Sequence, residues 1–412
     1  MEFLKHETNW RRPILYEREK SMRILIIQPG IGPYRLDFFN RLAQLCTLKV
    51  IYFYDEATEQ KFPEPLAKKI HGCDVEKVTG GWDLRRFYPI RPRLGAVIAD
   101  FRPDVVIGYE FNTLMMHLAV LRRLCFRRWR LLLWSSDNLE ITRHCSRMRK
   151  IARWFGTRAC DGMLLYSEEV RKFYARSLLP GRKTVVLPNI QDENRIRRDV
   201  FSSEREASIL TERYNLKGHA VILYVGRLHS VKNLPILIDA FSTLNRRNVK
   251  LILVGSGSEE ELLRRKVAES GLDQSVIFAG NCYGKKLWAH YFIADCLVLP
   301  SRFEPFGAVV NEALAWGIPC VVSKYVGARV LIRSSRQGEI FDPDEQNALK
   351  CKLNSLLQRI SSKREPRVKE SLMPWTLEDH IENLIAFCHR ISGSDFSGAQ
   401  RISRTPGCRD LD

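Results

Sequence analysis

The sequence of 412 residues lacks the long apolar runs that membrane-spanning proteins carry. No stretch of about 18 apolar residues occurs, which excludes a predicted spanning helix. Residues 1–20 are polar and charged, so this end of the sequence has no signal-peptide core. We therefore expect a cytoplasmic protein, and we leave open a peripheral position on the inner face of the cytoplasmic membrane.

Paired cysteines and metal-binding clusters are missing as well. The eleven cysteines are scattered, and none forms a Cys-x-x-Cys pair or a Cys/His cluster with zinc spacing. Several of them lie inside or beside apolar runs, where a thiol behaves as a small hydrophobic group. An odd, scattered number of cysteines fits a reducing compartment better than a disulfide framework.

Acidic residues are fewer than basic ones. Asp and Glu number 47 against 66 Lys and Arg, which gives a formal net charge of +19. Residues 1–200 hold 37 basic and 23 acidic side chains, and the largest local surplus lies in 121–158, with eleven Arg or Lys against Asp137 and Glu140. This segment mixes Arg with Trp, Phe and Leu. Two interpretations are open: a surface that docks on anionic lipid, or a solvated face with its apolar side in the core.

Short apolar strands alternate with helical patterns from Met22 onward. In the first half the predicted strands are ILII after Arg23 and residues 49–54, 103–109, 130–134, 162–167 and 184–188; in the second half they are 220–226, 250–255, 275–280, 295–300 and 319–323. Near-continuous apolar strands separated by helices predict parallel sheets covered on both faces. The sequence therefore predicts two doubly wound α/β domains in tandem, with a ligand cleft at the carboxyl ends of the strands.

The polar stretch that interrupts this alternation sets the predicted domain boundaries. We predict an N-terminal extension over 1–21 outside the fold, a first Rossmann-like domain over 22–195, a linker region over 196–218 and a second Rossmann-like domain over 219–392. We leave open whether the last helix of the second domain packs against the first domain. Residues 393–412 are small and polar, and we expect a disordered tail there.

Two cations follow the first strand of the second half. Arg227 comes directly after Gly226, and Lys232 follows five residues later, just before a helix that opens at Asn233. Cations beside the free N–H groups of a helix start form a site for a diphosphate. Taken alone, two exposed cations on a loop are the more common explanation.

A second strand-to-helix turn contains Gly255-Ser256-Gly257, a weak signal that is usually only a tight turn. The helix that follows is predicted to begin with a capping box of Ser258 and Glu261 and to end at Gly271.

Two carboxylates bracket the start of a later helix. Glu304 follows the strand of 295–300, Phe306-Gly307 leads into a helix predicted over 308–316, and Glu312 lies inside that helix. Carboxylates bind sugar hydroxyls, and amides and cations bind phosphates, so the arrangement suits a sugar nucleotide. Glutamates eight residues apart are common in helices, so this spacing alone decides little.

The order and spacing of these pieces resemble a known family. GRLHSVKN, VGSGSEEELL, FAGN and ADCLVLPSRFEPFGAVVNEALAWGIPCVVS occur in register and resemble the retaining family 4 glycosyltransferases, most densely over residues 221–332. RILIIQPGIGPYRLDFFNRLA resembles the first strand and glycine loop of enzymes that build bacterial surface polysaccharides. The resemblance implies the GT-B fold, in which two Rossmann-like domains face each other across a cleft.

The resemblance also implies residue roles. Arg227 and Lys232 match the residues that bind the diphosphate and stabilise the leaving nucleotide, and Glu304 matches the carboxylate that contacts the donor sugar. These three would be the catalytic residues. Further donor-binding positions are implied as follows: Gly226 beside the diphosphate, Asn281 at the base edge, the Phe306 and Gly307 amides, Glu312 on the ribose, and Gly30 and Gly32 from the first domain.

The implied reaction transfers a sugar, with retention, from a UDP-, GDP- or dTDP-sugar to a hydroxyl of a lipid-linked saccharide. It would serve the biosynthesis of a bacterial lipopolysaccharide, capsule or exopolysaccharide. We expect no metal and no cofactor, because Arg227, Lys232 and helix amides can neutralise the departing diphosphate. Asp342-Pro-Asp344 is interpreted as a turn.

Two other function classes compete with this one. A sugar-nucleotide epimerase of the same GT-B fold is the alternative enzyme. A nucleic-acid-binding protein is not expected, because the basic residues cluster in one segment and no zinc-finger, RNA-recognition or helix-turn-helix pattern appears.

The acceptor side gives weaker signals. Many members of the family place a histidine after the strand that corresponds to 130–134, and this chain has Trp134-Ser135-Ser136-Asp137 there. Asp137 is the candidate acceptor contact. His117 and His144 lie nearby in sequence, and a structural role is the main alternative for all three.

Overall fold

The chain folds into two parallel sheets, each covered by helices. The computed structural model describes residues 22–55, 66–83, 89–124, 129–143, 145–177, 183–244, 248–359 and 369–393. The strands are β1 (Arg23–Gln28), β2 (Thr47–Tyr52), β3 (Asp74–Lys77), β4 (Trp82–Asp83), β5 (Pro89–Ile90), β6 (Val105–Tyr109), β7 (Arg130–Trp134), β8 (Gly162–Leu165), β9 (Lys183–Val186), β10 (Ala220–Val225), β11 (Val249–Val254), β12 (Val276–Gly280), β13 (Cys296–Leu299), β14 (Cys320–Ser323) and β15 (Gly338–Phe341).

The α-helices lie between and around these strands. They are α1 (Leu36–Leu42), α2 (Leu94–Phe101), α3 (Thr113–Leu124), α4 (Leu139–Arg143), α5 (Arg147–Ala159), α6 (Glu168–Ser177), α7 (Glu193–Arg213), α8 (Leu234–Ser242), α9 (Glu260–Glu269), α10 (Lys285–Ile293), α11 (Ala308–Ala315), α12 (Ala348–Arg359) and α13 (Leu377–Ser392). Short 3₁₀ helices lie at Pro33–Arg35, Leu66–Lys69, Ser230–Lys232 and Gly327–Leu331.

The first sheet has the strand order β3-β2-β1-β6-β7-β8-β9, with all neighbours parallel. Strand β1 pairs with β2 on one side and with β6 on the other. The order of strand addition therefore reverses between β1 and β6. In open α/β sheets, ligands bind outside the carboxyl ends of the strands at such a reversal.

Both faces of this sheet are buried, because successive side chains of a strand point to opposite faces. On β1, Ile24 and Ile26 belong to one apolar cluster, whereas Leu25 and Ile27 belong to the other. Burying one such side chain contributes about 1.5–3 kcal/mol. Burial on both faces explains why these strands appear in the sequence as continuous apolar runs.

The second sheet has the order β12-β11-β10-β13-β14-β15, again with all neighbours parallel. Strand β10 pairs with β11 and β13, so it occupies the same place in this sheet that β1 occupies in the first. The predicted fold class, two doubly wound α/β sheets, is confirmed. The short strands β3, β4, β5 and β15 were not predicted.

Helix α7 occupies most of the stretch predicted as a linker over 196–218. Asp192 caps its start, and Ile196, Ala207 and Leu210 are buried along one side of the helix. The helix packs against α10 and α11. The sequence pattern does not predict this helix, because many charged residues separate its few buried apolar positions.

The start of α9 differs from the prediction. The helix begins at Glu260, its N-cap residue Glu259 makes no side-chain cap bond, and the predicted capping box of Ser258 and Glu261 is wrong. The backbone ahead of the helix is fixed by the neighbouring loop instead, because the Glu259 N–H donates to the Leu228 carbonyl at 3.0 Å. The predicted end is right: Gly271 follows the helix with a φ of +64°.

The last helix, α13, lies against the first sheet. A Cβ added to Gly162 of β8 would come within 2.9 Å of the Phe387 ring and 3.2 Å of Ile391. The Lys183 ammonium donates to the Arg390 carbonyl at 3.0 Å. The predicted extension over 1–21, and the predicted tail after Gly393, lie outside the described residues. Within the described part of the chain, no helix has both the length and the apolar character needed to cross a membrane.

Candidate active site

Loops that follow strands of the first sheet contact loops that follow strands of the second sheet, and a cleft lies between the two sheets. After β7, the Asn138 side-chain amide donates to the backbone carbonyls of Glu304 and Tyr325, both at 3.3 Å. The ring of Tyr166, after β8, meets the ring of Phe306 edge to face with centroids 5.3 Å apart. These contacts bring the carboxyl ends of strands from both sheets to one place.

Lys232 and Glu304 form an ion pair in this cleft. Lys232 ends the 3₁₀ turn after β10, and Glu304 lies in the loop after the neighbouring strand β13. Their side chains are 14% and 15% exposed, so the pair is largely desolvated but can still be reached. A charged pair of this kind can exchange its partners for the phosphates and hydroxyls of a ligand.

Arg227 and Gly226 lie at the end of β10. The Tyr224 hydroxyl, itself buried in the strand, donates to the Arg227 carbonyl at 2.8 Å and fixes the loop backbone, while the Arg227 residue is exposed. Burial raises the pKa of Tyr224, with a further contribution from the charge of Glu304, so this hydroxyl remains a hydrogen-bond donor.

The Gly255-Ser256-Gly257 turn after β11 packs directly on that loop. A Cβ on Gly255 would lie 1.9 Å from the Gly226 carbonyl oxygen, so no larger residue fits without moving the backbone. The Asn281 side-chain amide, after β12, donates to the Ser256 hydroxyl at 2.7 Å. Three adjacent strand ends therefore bring Gly226, Ser256 and Asn281 into one layer, and Asn281 is exposed at its edge.

Phe306 and Gly307 connect this layer to helix α11. Gly307 is the N-cap residue, with a φ of +94°, and a Cβ there would lie 2.9 Å from the Leu299 side chain. The Phe306 carbonyl accepts from the Ala328 N–H at 2.6 Å, and the Glu304 carbonyl accepts from the Gly327 N–H at 3.0 Å. The loop is thus rigid, and the first N–H groups of α11 are available for an anion.

Glu312 lies within α11 and is largely enclosed. Its carboxylate accepts from the Tyr291 hydroxyl at 2.7 Å and from the Gln191 side-chain amide at 3.1 Å. Burial raises the pKa of Glu312, and these two hydrogen bonds partly oppose the rise. Each carboxylate oxygen has capacity for a further donor, so ligand hydroxyls would share this carboxylate with Tyr291 and Gln191.

Gly30 and Gly32 lie in the other sheet, in the loop after β1. The loop is anchored on both sides, because the Pro29 carbonyl accepts from the Phe53 N–H at 3.0 Å and the Gly32 carbonyl accepts from the Arg35 N–H at 2.9 Å. The position is the carboxyl end of the central strand, next to the reversal of strand order.

Asp137 is not available to an acceptor, and that prediction is wrong. Its side chain has no exposed surface. One oxygen receives Arg153 Nη2 at 2.7 Å and the Tyr174 hydroxyl at 2.8 Å, and the other receives Arg149 Nη2 at 2.9 Å. Asp137 therefore holds α5 and α6 against the sheet. His117 lies on α3, where burial lowers its pKa, and His144 lies outside the described residues.

The structure adds a carboxylate that the sequence did not single out. Glu110 follows β6 directly, and its side chain is 20% exposed. It accepts hydrogen bonds from the Ser136 N–H, at 2.8 Å, and from the Ser136 hydroxyl. The available signal was its place immediately after an apolar strand, the same signal that Glu304 gives.

The predicted turn at Asp342-Pro-Asp344 is present. The Asp344 N–H donates to the Asp342 carboxylate at 3.0 Å, while Lys324 pairs with Asp342 and Arg302 with Asp344.

Comparisons with known proteins match the second half of the chain to a known family. Residues 210–370 match the family model described as "Glycosyl transferases group 1". An uncharacterised glycosyltransferase of Methanocaldococcus jannaschii is 40% identical over 119 residues, which are 29% of this chain and 30% of that one. A GDP-mannose-dependent alpha-(1-6)-phosphatidylinositol monomannoside mannosyltransferase of Mycolicibacterium smegmatis is 28% identical over 206 residues, 48% of this chain and 53% of that one. The chain thus spans about a third to a half of the length of these relatives.

Solved structures extend the similarity to both sheets. HepE of Anabaena, in complex with UDP, has a TM-score of 0.63 at 21% identity, over 90% of this chain and 95% of that one. The lipopolysaccharide outer core galactosyltransferase WaaB has a TM-score of 0.62 at 18% identity, over 90% and 99%. At these identities the likeness concerns the fold, which is GT-B. Taken with this fold, the match identifies residues 210–370 as a region of the glycosyl transferases group 1 type.

Proposed function

We propose that the protein transfers a sugar from a nucleotide-sugar donor to an acceptor hydroxyl, with retention of configuration. The observation that carries the proposal is the Lys232–Glu304 pair, which lies on adjacent strand ends beside the N-terminus of α11. It joins a cation, a carboxylate and free amides within one cleft. A sugar diphosphate needs these three groups, because it presents charge and hydroxyls together.

In this proposal the donor half stabilises the leaving group. Lys232 and Arg227 bind the diphosphate with the first amides of α11, Glu304 turns to a hydroxyl of the donor sugar, and Glu312 binds the ribose. The bond between the sugar C1 and the diphosphate oxygen breaks, and its electron pair stays on the phosphate. Groups already oriented toward that developing charge lower the barrier. Asn281, at the edge of the layer, is proposed to contact the base.

The proposed acceptor is a saccharide linked to a lipid, in the assembly of a bacterial surface polysaccharide. Support comes from what the names of similar proteins state: WaaB and WaaG act in lipopolysaccharide biosynthesis, and the mycobacterial relative acts on a phosphatidylinositol mannoside. The donors in those names and titles are UDP-glucose for HepE and GDP-mannose for the mannosyltransferase. Both donor classes, with dTDP-sugars, are therefore candidates here.

An exposed surface of α3 and α5 supports a peripheral position on anionic lipid. The two helices pack against each other. Exposed apolar side chains follow one another along them: Met116 (46%), Val120 (51%) and Leu124 (65%) on α3, and Met148 (75%), Ile151 (61%) and Trp154 (51%) on α5. Arginines and Lys150 surround them on α5. Apolar side chains among cations are typical of surfaces that bind anionic membranes.

Sedimentation with vesicles tests this surface. We expect the full chain to bind vesicles containing phosphatidylglycerol at low salt, to bind phosphatidylcholine vesicles poorly, and to lose binding when Ile151 and Trp154 are both changed to Ser. Ile209→Ser is the matched control, because Ile209 is 51% exposed on the distant helix α7. If the double variant binds the vesicles as well as the Ile209→Ser control does, the surface of α3 and α5 is only a solvated face and does not bind lipid.

The reaction is tested by incubating the full chain with UDP-, GDP- and dTDP-sugars and a lipid-linked saccharide. We expect one donor to yield free nucleoside diphosphate and a new glycoside of retained configuration. An altered nucleotide sugar formed without acceptor would support the epimerase instead. Consumption of no donor under any condition would contradict the proposal.

A further inference from the structure

Trp82, in the short strand β4, presents a large aromatic ring to solvent. The residue is 67% exposed, although a tryptophan ring contributes much to stability when it is buried. Single exposed apolar side chains are common on protein surfaces. The residues around this ring therefore decide whether it serves a ligand.

The ring lies beside the carboxyl ends of three neighbouring strands. Strands β1, β2 and β3 are adjacent in the first sheet, and the glycine loop with Gly30 follows β1. Tyr54 follows β2, and its N–H donates to the Pro29 carbonyl of that loop at 2.9 Å. Trp82 and Asp83 come after β3, and Asp83 accepts a hydrogen bond from the Tyr54 hydroxyl. Trp82 is therefore on the edge of the sheet at which this fold binds ligands, outward from the glycine loop.

The backbone that carries Trp82 is fixed. Gly80 and Gly81 precede it with φ values of +79° and +97°, and a Cβ on Gly81 would lie 2.2 Å from the Ile90 carbonyl oxygen. Trp82 pairs with Ile90 where β4 and β5 run antiparallel. The Arg91 guanidinium donates to the Trp82 carbonyl at 3.2 Å. A ring on such a backbone loses little conformational freedom when it binds a ligand.

A buried arginine orients the neighbouring carboxylate. Arg91 is 6% exposed, and its guanidinium carbon lies 5.3 Å and 5.7 Å from the ring centroids of Phe53 and Tyr54. Arg91 Nη2 donates to Asp83 Oδ1 at 2.9 Å, and the Tyr54 hydroxyl donates to the same oxygen. The Asp83 side chain is 40% exposed, and Oδ2 accepts no hydrogen bond from any of the described residues. Oδ2 can therefore accept from a ligand hydroxyl.

An aromatic ring beside an oriented carboxylate suits a saccharide. A sugar ring has a face of apolar C–H groups, which packs on an indole, and hydroxyls around its edge, which donate to a carboxylate. An anionic lipid headgroup suits this place less well, because it would be repelled by the charge of Asp83. On α5, by contrast, arginines and Lys150 surround the exposed apolar side chains.

The ring also lies between the surface proposed to bind lipid and the cleft. Strand β5 packs against α3, which carries the exposed Val120 and Leu124 of that surface. On the other side, Tyr54 connects β4 to the loop after β1. A saccharide whose lipid is held in the membrane and whose end enters the cleft would pass Trp82.

We propose that Trp82 and Asp83 form a saccharide-binding site for a sugar unit of the acceptor that lies away from the attacking hydroxyl. This inference rests on the proposed function. The apolar face of that sugar stacks on the Trp82 ring, and one of its hydroxyls donates to Asp83 Oδ2, while Arg91 and Tyr54 hold the carboxylate in place. No covalent bond forms or breaks at this site, which determines acceptor affinity and specificity.

The test measures transfer by the full chain to two acceptors: the lipid-linked saccharide, and the same saccharide released from its lipid. For Trp82→Ala we expect KM for the released saccharide to rise about 10-fold to 100-fold, the range for burying one large apolar side chain. The values of kcat and of KM for the donor should not change, because the site binds ground state and transition state equally. Trp82→Phe, which keeps a ring, should restore most of the affinity. Asp83→Asn should raise the same KM about 3-fold to 10-fold.

Vesicle binding separates a saccharide site from a lipid contact. Trp82→Ala should bind phosphatidylglycerol vesicles as the wild type does, whereas the variant with Ile151 and Trp154 changed to Ser should keep the wild-type KM for the released saccharide. Ile209→Ser is again the matched control and should leave both properties unchanged. If Trp82→Ala loses vesicle binding and keeps the wild-type KM, the ring is a lipid contact and the inference fails. A fall in kcat at an unchanged KM overturns it as well.

Failure of the proposed function gives a different result. If the wild type consumes no nucleotide sugar with any acceptor, the proposed function fails. If the wild type transfers sugar and Trp82→Ala has the same KM for each acceptor, only the saccharide site fails. Thermal unfolding followed by circular dichroism should give the same midpoint for Trp82→Ala and the wild type, because the ring is exposed, and a raised KM then reports lost binding.

Discussion

The two walls of the cleft hold their carboxylates in different ways. In the donor half, Glu304 has one cationic partner, Lys232, and keeps 15% of its side chain exposed. In the half that holds the first sheet, which we propose binds the acceptor and call the acceptor half, Asp137 also follows its strand, yet two arginines and a tyrosine enclose it completely, and Glu110 is the carboxylate left partly exposed. A carboxylate after a buried strand is therefore a candidate, and its partners decide whether it binds ligand or supports the fold.

The largest expected effect concerns the donor half. Glu304→Gln keeps the size of the side chain but removes the charge that pairs with Lys232, so both the sugar contact and the orientation of the cation are impaired. We expect turnover to fall about 100-fold to 1,000-fold, the range seen when one stabilising group of a transition state is removed. Steady-state rates with the best donor measure it. A Glu304→Gln variant as active as the wild type would remove Glu304 from the reaction.

The next effect concerns the enclosed carboxylate of the acceptor half. Asp137→Asn removes the negative charge that pairs with the buried Arg153 guanidinium, and breaking a buried pair in this way costs about 3–5 kcal/mol. Urea unfolding followed by circular dichroism measures the loss. If Asp137→Asn is as stable as the wild type but no longer transfers sugar, Asp137 acts in the reaction and does not support the fold.

A smaller effect, the pH dependence of the free energy of unfolding, distinguishes Glu110 from Asp137. A carboxyl whose pKa is raised in the fold binds its proton more tightly there than in the unfolded chain, so it costs stability as pH rises from about 4.5 to about 7. Glu110→Gln should therefore gain stability relative to wild type over this window. The gain should be about 2–3 kcal/mol, reduced from the full shift because the group is partly exposed. Unfolding at pH 4.5 and pH 8 checks it, and a difference that does not vary with pH would contradict the raised pKa.

The smallest effect compares two helix starts. Thr376 accepts from the Asp379 N–H at 3.1 Å, and Asp379 accepts from the Thr376 N–H at 2.9 Å, so α13 begins with a real capping box. Thr376→Ala should cost about 1 kcal/mol. Ser258→Ala should cost nearly nothing, because Ser258 does not cap α9. If thermal unfolding shows that Thr376→Ala and Ser258→Ala lose the same amount of stability, the Ser258 capping box forms in solution.

The sequence was enough to predict the fold class because both sheets are buried on two faces. The strands then appear as apolar runs, and their alternation with helices leaves few arrangements open. Short or half-exposed elements such as β3 and β15 lack that signal. Helix α7 was hidden for a related reason: its buried positions, such as Ile196 and Leu210, are far apart among charged residues.

The candidate site was predictable only in part. In the donor half, every candidate residue except Glu312 lies in a loop after a strand or at a helix start, where local sequence indicates free amides and exposed charge. In the acceptor half, local sequence could not tell Asp137 from Glu110. Their difference depends on Arg153 and Tyr174, which are 16 and 37 residues from Asp137 along the chain, and on Ser136, which is 26 residues from Glu110. Burial created by such distant partners becomes visible only in the fold.

Ligand protection gives the sharpest test of whether the Lys232–Glu304 pair belongs to the donor site. Thermal unfolding is measured with UDP-, GDP- and dTDP-sugars for the wild type, Lys232→Met and Glu110→Gln. A ligand that binds only the folded state adds about 2.7 kcal/mol of stability at 100 times its Kd. We expect one donor to protect the wild type and Glu110→Gln alike and to lose most of its effect on Lys232→Met. Equal protection of Lys232→Met would contradict the account.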